Sequence, residues 1–459
     1  MSHSPDNQHQ PPYRPEGRYP QQPHPQPPYG GQQQGQPQYG RQQPPYGQQQ
    51  APQQSYGQQE AGRPRYDQQA YDDQATVYQQ RVPELSGYDR AEQPPYEYDG
   101  ERPRRKSRVR RWVIAGAAVL ALAGVASLVM YHFEIPPFTD KGSPVSFGQT
   151  PGGGAVKQAP NAKALMPTGP QAEFKNESTL PDGTHLAVTT LTGKKSGFKG
   201  QVWVWAPKEY NDPKFAKSGF PVMIALPGGA GFPRNYWMGT DLKLQASISK
   251  WYSEGKSKPF LLAMPVLNPE NHDDDPKDPL LGRYWDGSDI PGQPKMGTWL
   301  TDDVPDLMRE NFRTIKSRDG WCFMGSSTGG FASLKAVLKY PEKFKAAIAS
   351  GPDIVPDSGL WKGHDQEKNE NNPNLLSKAL VEKKGAPDVY IAFQVGDSEN
   401  NKDTLPNVQK YIATYGNKGP IHTTLRIIPG GKHNATTYVP NMGEGPIEFI
   451  SKVMEGPVE

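Results

Sequence analysis

The stretch Trp321 to Pro341, WCFMGSSTGGFASLKAVLKYP, constrains the fold more than any other part of the chain. Trp321-Cys322-Phe323-Met324 is a short apolar run of the kind a buried strand requires. Phe331, Leu334, Val337 and Leu338 then recur at helical spacing up to Tyr340-Pro341. Between them lies the knot Gly325-Ser326-Ser327-Thr328-Gly329-Gly330, so the chain must turn from strand to helix within a few small residues. The pattern G-x-S-x-G at such a joint lifts one serine hydroxyl above a parallel sheet. By position the lifted serine is Ser327, and Ser326 reads as a small filler of the turn. Cys322, the chain's single cysteine, falls in the strand and is expected to be a packed apolar thiol.

The remaining sequence divides by composition. Fifty prolines and 48 glycines are too many for one compact fold, and they are unevenly spread. Residues 1–101 form a Pro, Gln, Gly and Tyr tract with recurring PPYG and YGQQ units and almost no Val, Ile, Leu or Phe. Such a tract cannot bury enough apolar surface to offset chain entropy, and is expected to be disordered. Its tyrosines could serve partner binding or self-association, or it could be a solvated tail. Arg102, Arg104, Arg105, Lys106, Arg108, Arg110 and Arg111 then crowd one stretch ahead of the uncharged run Trp112–Tyr131. At 1.5 Å per residue a run of that length spans the roughly 30 Å of bilayer hydrocarbon. Aromatics at both ends fit the interfaces, and the basic flank places the tail in the cytoplasm and residues beyond 133 outside. The expected organisation is a cytoplasmic tail, a basic cluster with one transmembrane helix (102–132), a Gly/Pro-rich linker (133–170) and a folded domain (171–459). The net charge of +3 gives no reason to expect a nucleic-acid partner.

In the folded part strands and helices alternate. HLAVTTLT and GQVWVWAP read as strands by their alternation, joined by GKKSGFK. PVMIALP, PFLLAMPV, DGWCFMG, AAIAS, DVYIAFQVG and TTLRIIPGG are further strands, several of them continuously apolar, as central parallel strands are. LKLQASISKWYSEG, WLTDDVPDLMRENF, FASLKAVLKYP and LPNVQKYIATYG are helical. The order predicts a three-layer α/β fold around a mostly parallel sheet of about eight strands, with chemistry at the carboxyl ends of the strands.

A serine nucleophile needs a base, and the base needs an orienting carboxylate. Of nine histidines only His364, His422 and His433 follow Ser327. His364 sits in the polar WKGHDQEKNENN excursion. His422 begins the last strand, at the wrong end of the sheet. His433 follows that strand directly, after two glycines that permit a tight turn, and is the expected base. For the acid, the loop GDSENNKD offers Asp397 and Glu399, while Asp403 reads as the start of the next helix. Spacing does not choose between Asp397 and Glu399. Oxyanion donors are expected from the backbone N–H of Thr328, after the nucleophile, and of Gly229, in the PGGAGFPRNYW loop after PVMIALP. Such chemistry requires neither metal nor organic cofactor. The acidic loop Asn268–Asp278 lacks the EF-hand spacing and reads as a solvated rim loop.

Taken together, LPGGAG, WLTDDVPDLMRENF, GSSTGGFASLKAVLKYPEKFKAAIASGP, GDSENNKDTLPNVQKYI and GGKH resemble one branch of the α/β-hydrolases. That branch includes esterase D, the feruloyl esterases and the antigen 85 mycolyltransferases. The resemblance runs from about His185 to Ile450 and implies a serine esterase or a related acyltransferase. In antigen 85-like sequences the catalytic Glu stands a few residues before an Ile-Pro that opens a helix. Leu405-Pro406 takes that place here, so the resemblance implies Glu399 as the acid, and it also implies Gly229 as an oxyanion donor. Two positions depart from antigen 85: Pro227 replaces an Asp that contacts trehalose, and Asn434-Ala435 replace the Ser-Trp after the histidine. The tail looks like those of actinobacterial membrane proteins. The expected protein is therefore a membrane-anchored, extracytoplasmic carboxylic ester hydrolase acting on a small-molecule, lipid or sugar ester. The alternatives are an envelope acyltransferase and a non-catalytic binding module with a hydrolase fold.

Overall fold

A computed structural model of the chain describes residues 140–147, 161–270 and 284–459, with Val125 and Lys277 in addition. The tail, the basic cluster and nearly all of the proposed membrane segment lie outside these residues, as do positions 271–276 and 278 of the acidic loop. Among the described residues no helix is long and apolar enough to cross a membrane.

One sheet of ten strands organises the domain. In chain order they are β1 (Pro144–Val145), β3 (Phe174–Thr179), β4 (His185–Thr192), β5 (Lys199–Trp205), β6 (Val222–Leu226), β7 (Leu261–Pro265), β9 (Trp321–Ser326), β10 (Ala346–Ser350), β11 (Val389–Gly396) and β12 (Ile421–Ile428). The spatial order is β1-β3-β4-β5-β7-β6-β9-β10-β11-β12. The first strands run antiparallel, β4 and β5 with the alternating side chains read in their sequences, and in spatial order everything from β7 to β12 is parallel. Strands β6, β7, β9 and β10 are buried at every residue. Helices cover both of their faces, which is why their sequences are apolar without alternation. The three-layer α/β-hydrolase fold expected from the sequence is the fold observed. Cys322 is fully buried in β9, and burial pushes its thiol up, away from reactivity.

The sheet exceeds the expected eight strands at its polar edge. β3 reads FKNEST, with no apolar period to announce it, and β1 comes from the segment read as linker. That segment also places Phe147 in the core against Phe174 and Phe312. Downstream, β2 (Ala164–Leu165) pairs with β8 (Thr314–Ile315), and Gly169 donates its N–H to the Glu310 carbonyl at 2.9 Å. The described parts of 133–170 are thus integral to the domain.

Parallel register brings five loops to one edge. Leu226 of β6 lies beside Gly325 of β9, Ser326 beside Ser350 of β10, Ser350 beside Gln394 of β11, and Gly396 beside Ile428 of β12. Every residue singled out as catalytic follows one of these strand ends.

Candidate active site

The strand-to-helix joint is as tight as its small residues suggest. β9 ends at Ser326 and the next helix, Thr328–Lys339, begins two residues later. Ser327 makes the turn with φ 53° and ψ −124°, a region that L-residues avoid. Such a conformation costs on the order of 1–3 kcal/mol and persists only where the surroundings enforce it. They do so here. A Cβ on Gly325 would stand 2.3 Å from the Gly329 carbonyl oxygen, and one on Gly329 would stand 2.3 Å from the carbonyl oxygens of Leu226 and Pro227. The Ser327 N–H donates to the Ser350 carbonyl at 2.9 Å. Thr328 opens the helix, so its N–H has no partner in the preceding turn and is available to an anion.

His433 and Glu399 are brought together. His433 Nδ1 lies 2.8 Å from Glu399 Oε2, and the Glu399 side chain is only 2% exposed. The other carboxylate oxygen accepts from the Gly396 N–H at 2.8 Å and from the Tyr438 hydroxyl at 2.7 Å. Each oxygen of this buried carboxylate therefore has a partner, which burial demands. With Nδ1 facing the carboxylate, the neutral imidazole holds its proton there and presents Nε2 as the free base. Asp397 points elsewhere: its Oδ1 accepts from the Gly430 N–H at 2.7 Å and from the Ser398 hydroxyl at 2.9 Å, pinning the turn after β12. His422 lies at the opposite end of the sheet, 3.1 Å from Asp388 and stacked on Tyr390.

Among the described residues no hydrogen bond joins Ser327 to His433. Both instead flank the Ser350–Gly351 peptide. Ser350 accepts from the Ser327 N–H, and a Cβ on Gly351 would stand 2.9 Å from His433 Nδ1 and 2.2 Å from the Tyr438 hydroxyl. Hydrogen bonds between nucleophile and base are often long before substrate arrives.

The loop after β6 carries Gly229, the residue expected as the second donor. The Gly228 N–H is already given to the Tyr236 hydroxyl at 2.7 Å. Gly229 comes next, with φ 61°, and its carbonyl is drawn back by Asn268 at 3.4 Å.

Three features escaped the sequence reading. Tyr438 lies five residues after His433 on the Ala435–Met442 helix, which Asn434 caps by accepting from the Thr437 N–H at 2.8 Å. Burial, with Glu399 beside it, holds the Tyr438 phenol well above the usual range, so it remains a donor. Ser326 is not mere filler, since its hydroxyl is bonded to that of Tyr236. Lys335, buried on the Thr328–Lys339 helix, donates to the carbonyls of Asp286 at 2.8 Å and Gly287 at 2.6 Å and to the Ser288 hydroxyl. Asp286 in turn accepts from Trp361 Nε1 at 2.7 Å, so the loops around 286 and 358 are clamped together. Among the described residues no three His, Cys, Asp or Glu side chains are placed to hold a metal ion.

The family model described as "Putative esterase" matches residues 197–438, more than half of the chain. The chain belongs to this esterase family. The matched span begins in the β4–β5 turn and ends at Tyr438, so it includes the joint at Ser327, the Glu399 loop and His433. As a member the protein is a carboxylic ester hydrolase. An uncharacterized protein of Corynebacterium glutamicum is 20% identical over 344 residues, covering 70% of this esterase and 72% of that chain. An S-formylglutathione hydrolase of Paracoccus denitrificans is 24% identical over 128 residues, 24% of this chain and 45% of the other, so less than half of that relative is spanned. Among solved structures, an S-formylglutathione hydrolase from Agrobacterium tumefaciens superposes with a TM-score of 0.47 at 17% identity, covering 61% of this chain and 98% of that one.

Proposed function

We propose that this esterase cleaves carboxylic esters through an acyl-enzyme on Ser327, with His433 as base and Glu399 as its orienting acid. The observation that carries the reading is the 2.8 Å contact between His433 Nδ1 and the buried Glu399 carboxylate, beside a serine held at positive φ. Ser327 Oγ attacks the ester carbonyl carbon while His433 Nε2 takes its proton. The carbonyl oxygen becomes an oxyanion held by the N–H groups of Gly229 and Thr328. Collapse expels the alcohol, which leaves with the proton from His433. Water then attacks the acyl-serine with His433 as base again, releasing the acid. A sugar or lipid hydroxyl replacing that water would make the enzyme an acyltransferase.

The uncharged run Trp112–Tyr131 and its basic flank support the further reading that the enzyme is anchored by one transmembrane helix, with the hydrolase domain outside the membrane.

A fluorophosphonate probe on the full-length chain in solubilised membranes tests the chemistry. Wild type should be labelled at Ser327 and Ser327→Ala should not; equal labelling of the two overturns the assignment. Supplying glycolipid or sugar acceptors during ester turnover separates hydrolysis from transfer by product. External protease on intact protoplasts should digest the domain; its survival there would contradict the topology.

A further inference from the structure

The pair of serines in GSSTGG raises a question that the triad leaves open: what is Ser326 for? Its side chain ends β9 and the residue is only 4% exposed, too buried to meet substrate. Its hydroxyl is bonded to that of Tyr236, and the same phenol oxygen accepts the Gly228 N–H at 2.7 Å. One hydroxyl thus ties the end of β9 to the loop after β6. The two segments meet at Gly228, where a side chain would be crowded. A Cβ on Gly228 would stand 3.0 Å from Ser327 Cβ, 3.1 Å from the Ser326 carbonyl oxygen and 3.3 Å from the Tyr236 hydroxyl.

Tyr236 is itself firmly placed. Neighbouring Asn235 is fully buried and donates to the carbonyls of Ala225 and Pro265, each at 2.8 Å. Trp237 Nε1 donates to the Leu226 carbonyl at 2.8 Å, on the other side. The phenol is therefore anchored to the ends of β6 and β7 and reaches across to β9.

We propose that Tyr236 and Ser326 are positioning residues that set the span of the oxyanion hole. The inference rests on the reading of Ser327 as nucleophile with Gly229 and Thr328 as donors. Gly228 adjoins Gly229, and Ser326 lies two residues before Thr328, so the phenol bridges the segments that carry the two donors. By consuming the Gly228 N–H it also leaves Gly229 as the donor of that loop. Oxyanion donors act on charge that develops in the transition state, and small displacements of them are felt in turnover rather than in substrate binding. The hydroxyl's bonds to Gly228 and Ser326 run within the protein, so loss of the bridge should be read in kcat.

The test uses Tyr236→Phe, Ser326→Ala and the double variant in the full chain, with Ser327→Ala as reference. The substrate is a p-nitrophenyl ester and the transition-state analogue an alkyl boronic acid. Each single change should lower kcat about tenfold, less than the 10²–10³ of a deleted donor, with KM within about twofold. Boronate affinity should fall by the same factor as kcat. The double variant should be no worse than the poorer single, because both changes break one bridge. Unchanged kcat and boronate affinity in the two singles would overturn the proposal, as would losses that multiply in the double or a change confined to KM. If Tyr236→Phe fails to fold, judged by its melting temperature, Ser326→Ala decides alone by the same readouts. Full turnover in Ser327→Ala would instead remove the underlying reading, a result distinct from an inert Tyr236→Phe in an enzyme that needs Ser327.

Discussion

Tyr438 touches both members of the Glu399–His433 pair, its hydroxyl 2.7 Å from Glu399 Oε1 and 3.0 Å from the imidazole Nδ1. The carboxylate proposed as the acid is thus gripped at both oxygens. Tyr438→Phe would leave Oε1 with the Gly396 N–H as its partner among the described residues. A buried carboxylate that loses a donor costs about 1–3 kcal/mol of stability. We expect a lower melting temperature and a kcat about tenfold down, with Ser327 still labelled by fluorophosphonate, more slowly. Unaltered turnover would show that the phenol does not serve the acid.

The two candidate acids separate cleanly. Glu399→Gln should cut kcat about 10³–10⁴-fold, since the amide no longer enforces the productive tautomer. Asp397→Asn should reduce it a few-fold at most, because that side chain braces the Gly430 turn. Steady-state kinetics on a soluble ester decides, and the reverse pattern would move the acid to Asp397.

Gly329→Ala probes the joint itself. The added methyl would meet two backbone carbonyls at 2.3 Å, neither of which can rotate away. Overpacking against main chain here should cost about 3 kcal/mol or more, measured by urea unfolding. A fully stable variant would mean that the approach of β6 to the joint is looser than described.

Asp353 gives the site a pH-dependent stability. Burial, then repulsion from Asp357, pushes its carboxyl up from 3.8 to about 7, with His433 opposing and Asp286 and Glu399 adding to the rise. The folded state then binds this proton more tightly than the unfolded chain does. Its stabilising contribution is complete below about pH 4 and is lost as pH rises through 7. Asp353→Asn removes that loss. Its melting temperature, relative to wild type, should climb between pH 4.5 and pH 8. A gap that stays flat across that range would rule out the raised carboxyl.

Much of this site could be read from the sequence because its parts sit where periodic strands stop. The apolar runs of β6, β9, β11 and β12 end within a residue or two of their structural ends, and Ser327, Glu399 and His433 follow those ends directly. The choice between Asp397 and Glu399 was beyond spacing. It depends on which side chain folds back onto the Gly396 N–H and which reaches to Gly430, a matter of backbone direction inside one short loop. Tyr236, Tyr438 and Lys335 were invisible for another reason: each acts on a partner far away in sequence. Secondary structure was missed where composition misled. The helix Pro373–Glu382 follows the WKGHDQEKNENN excursion and was given no element, although Asn372 and Pro373 carry a start signal, an Asn cap followed by Pro. The polar edge strands β1 and β3 gave no period at all.

The peptide joining Ser350 to Gly351 is a common datum for the proposed nucleophile and base. Ser327 donates its N–H to the Ser350 carbonyl, and the His433 ring stands where a Cβ on Gly351 would meet it. Nucleophile and base belong to segments separated by β10 and β11, and fluctuations would accumulate if their spacing were transmitted strand by strand. Referencing both to one rigid peptide makes their relative placement tolerant of breathing elsewhere in the sheet. Sequence drift in the outer strands can therefore alter stability while leaving the alignment of the reacting atoms intact.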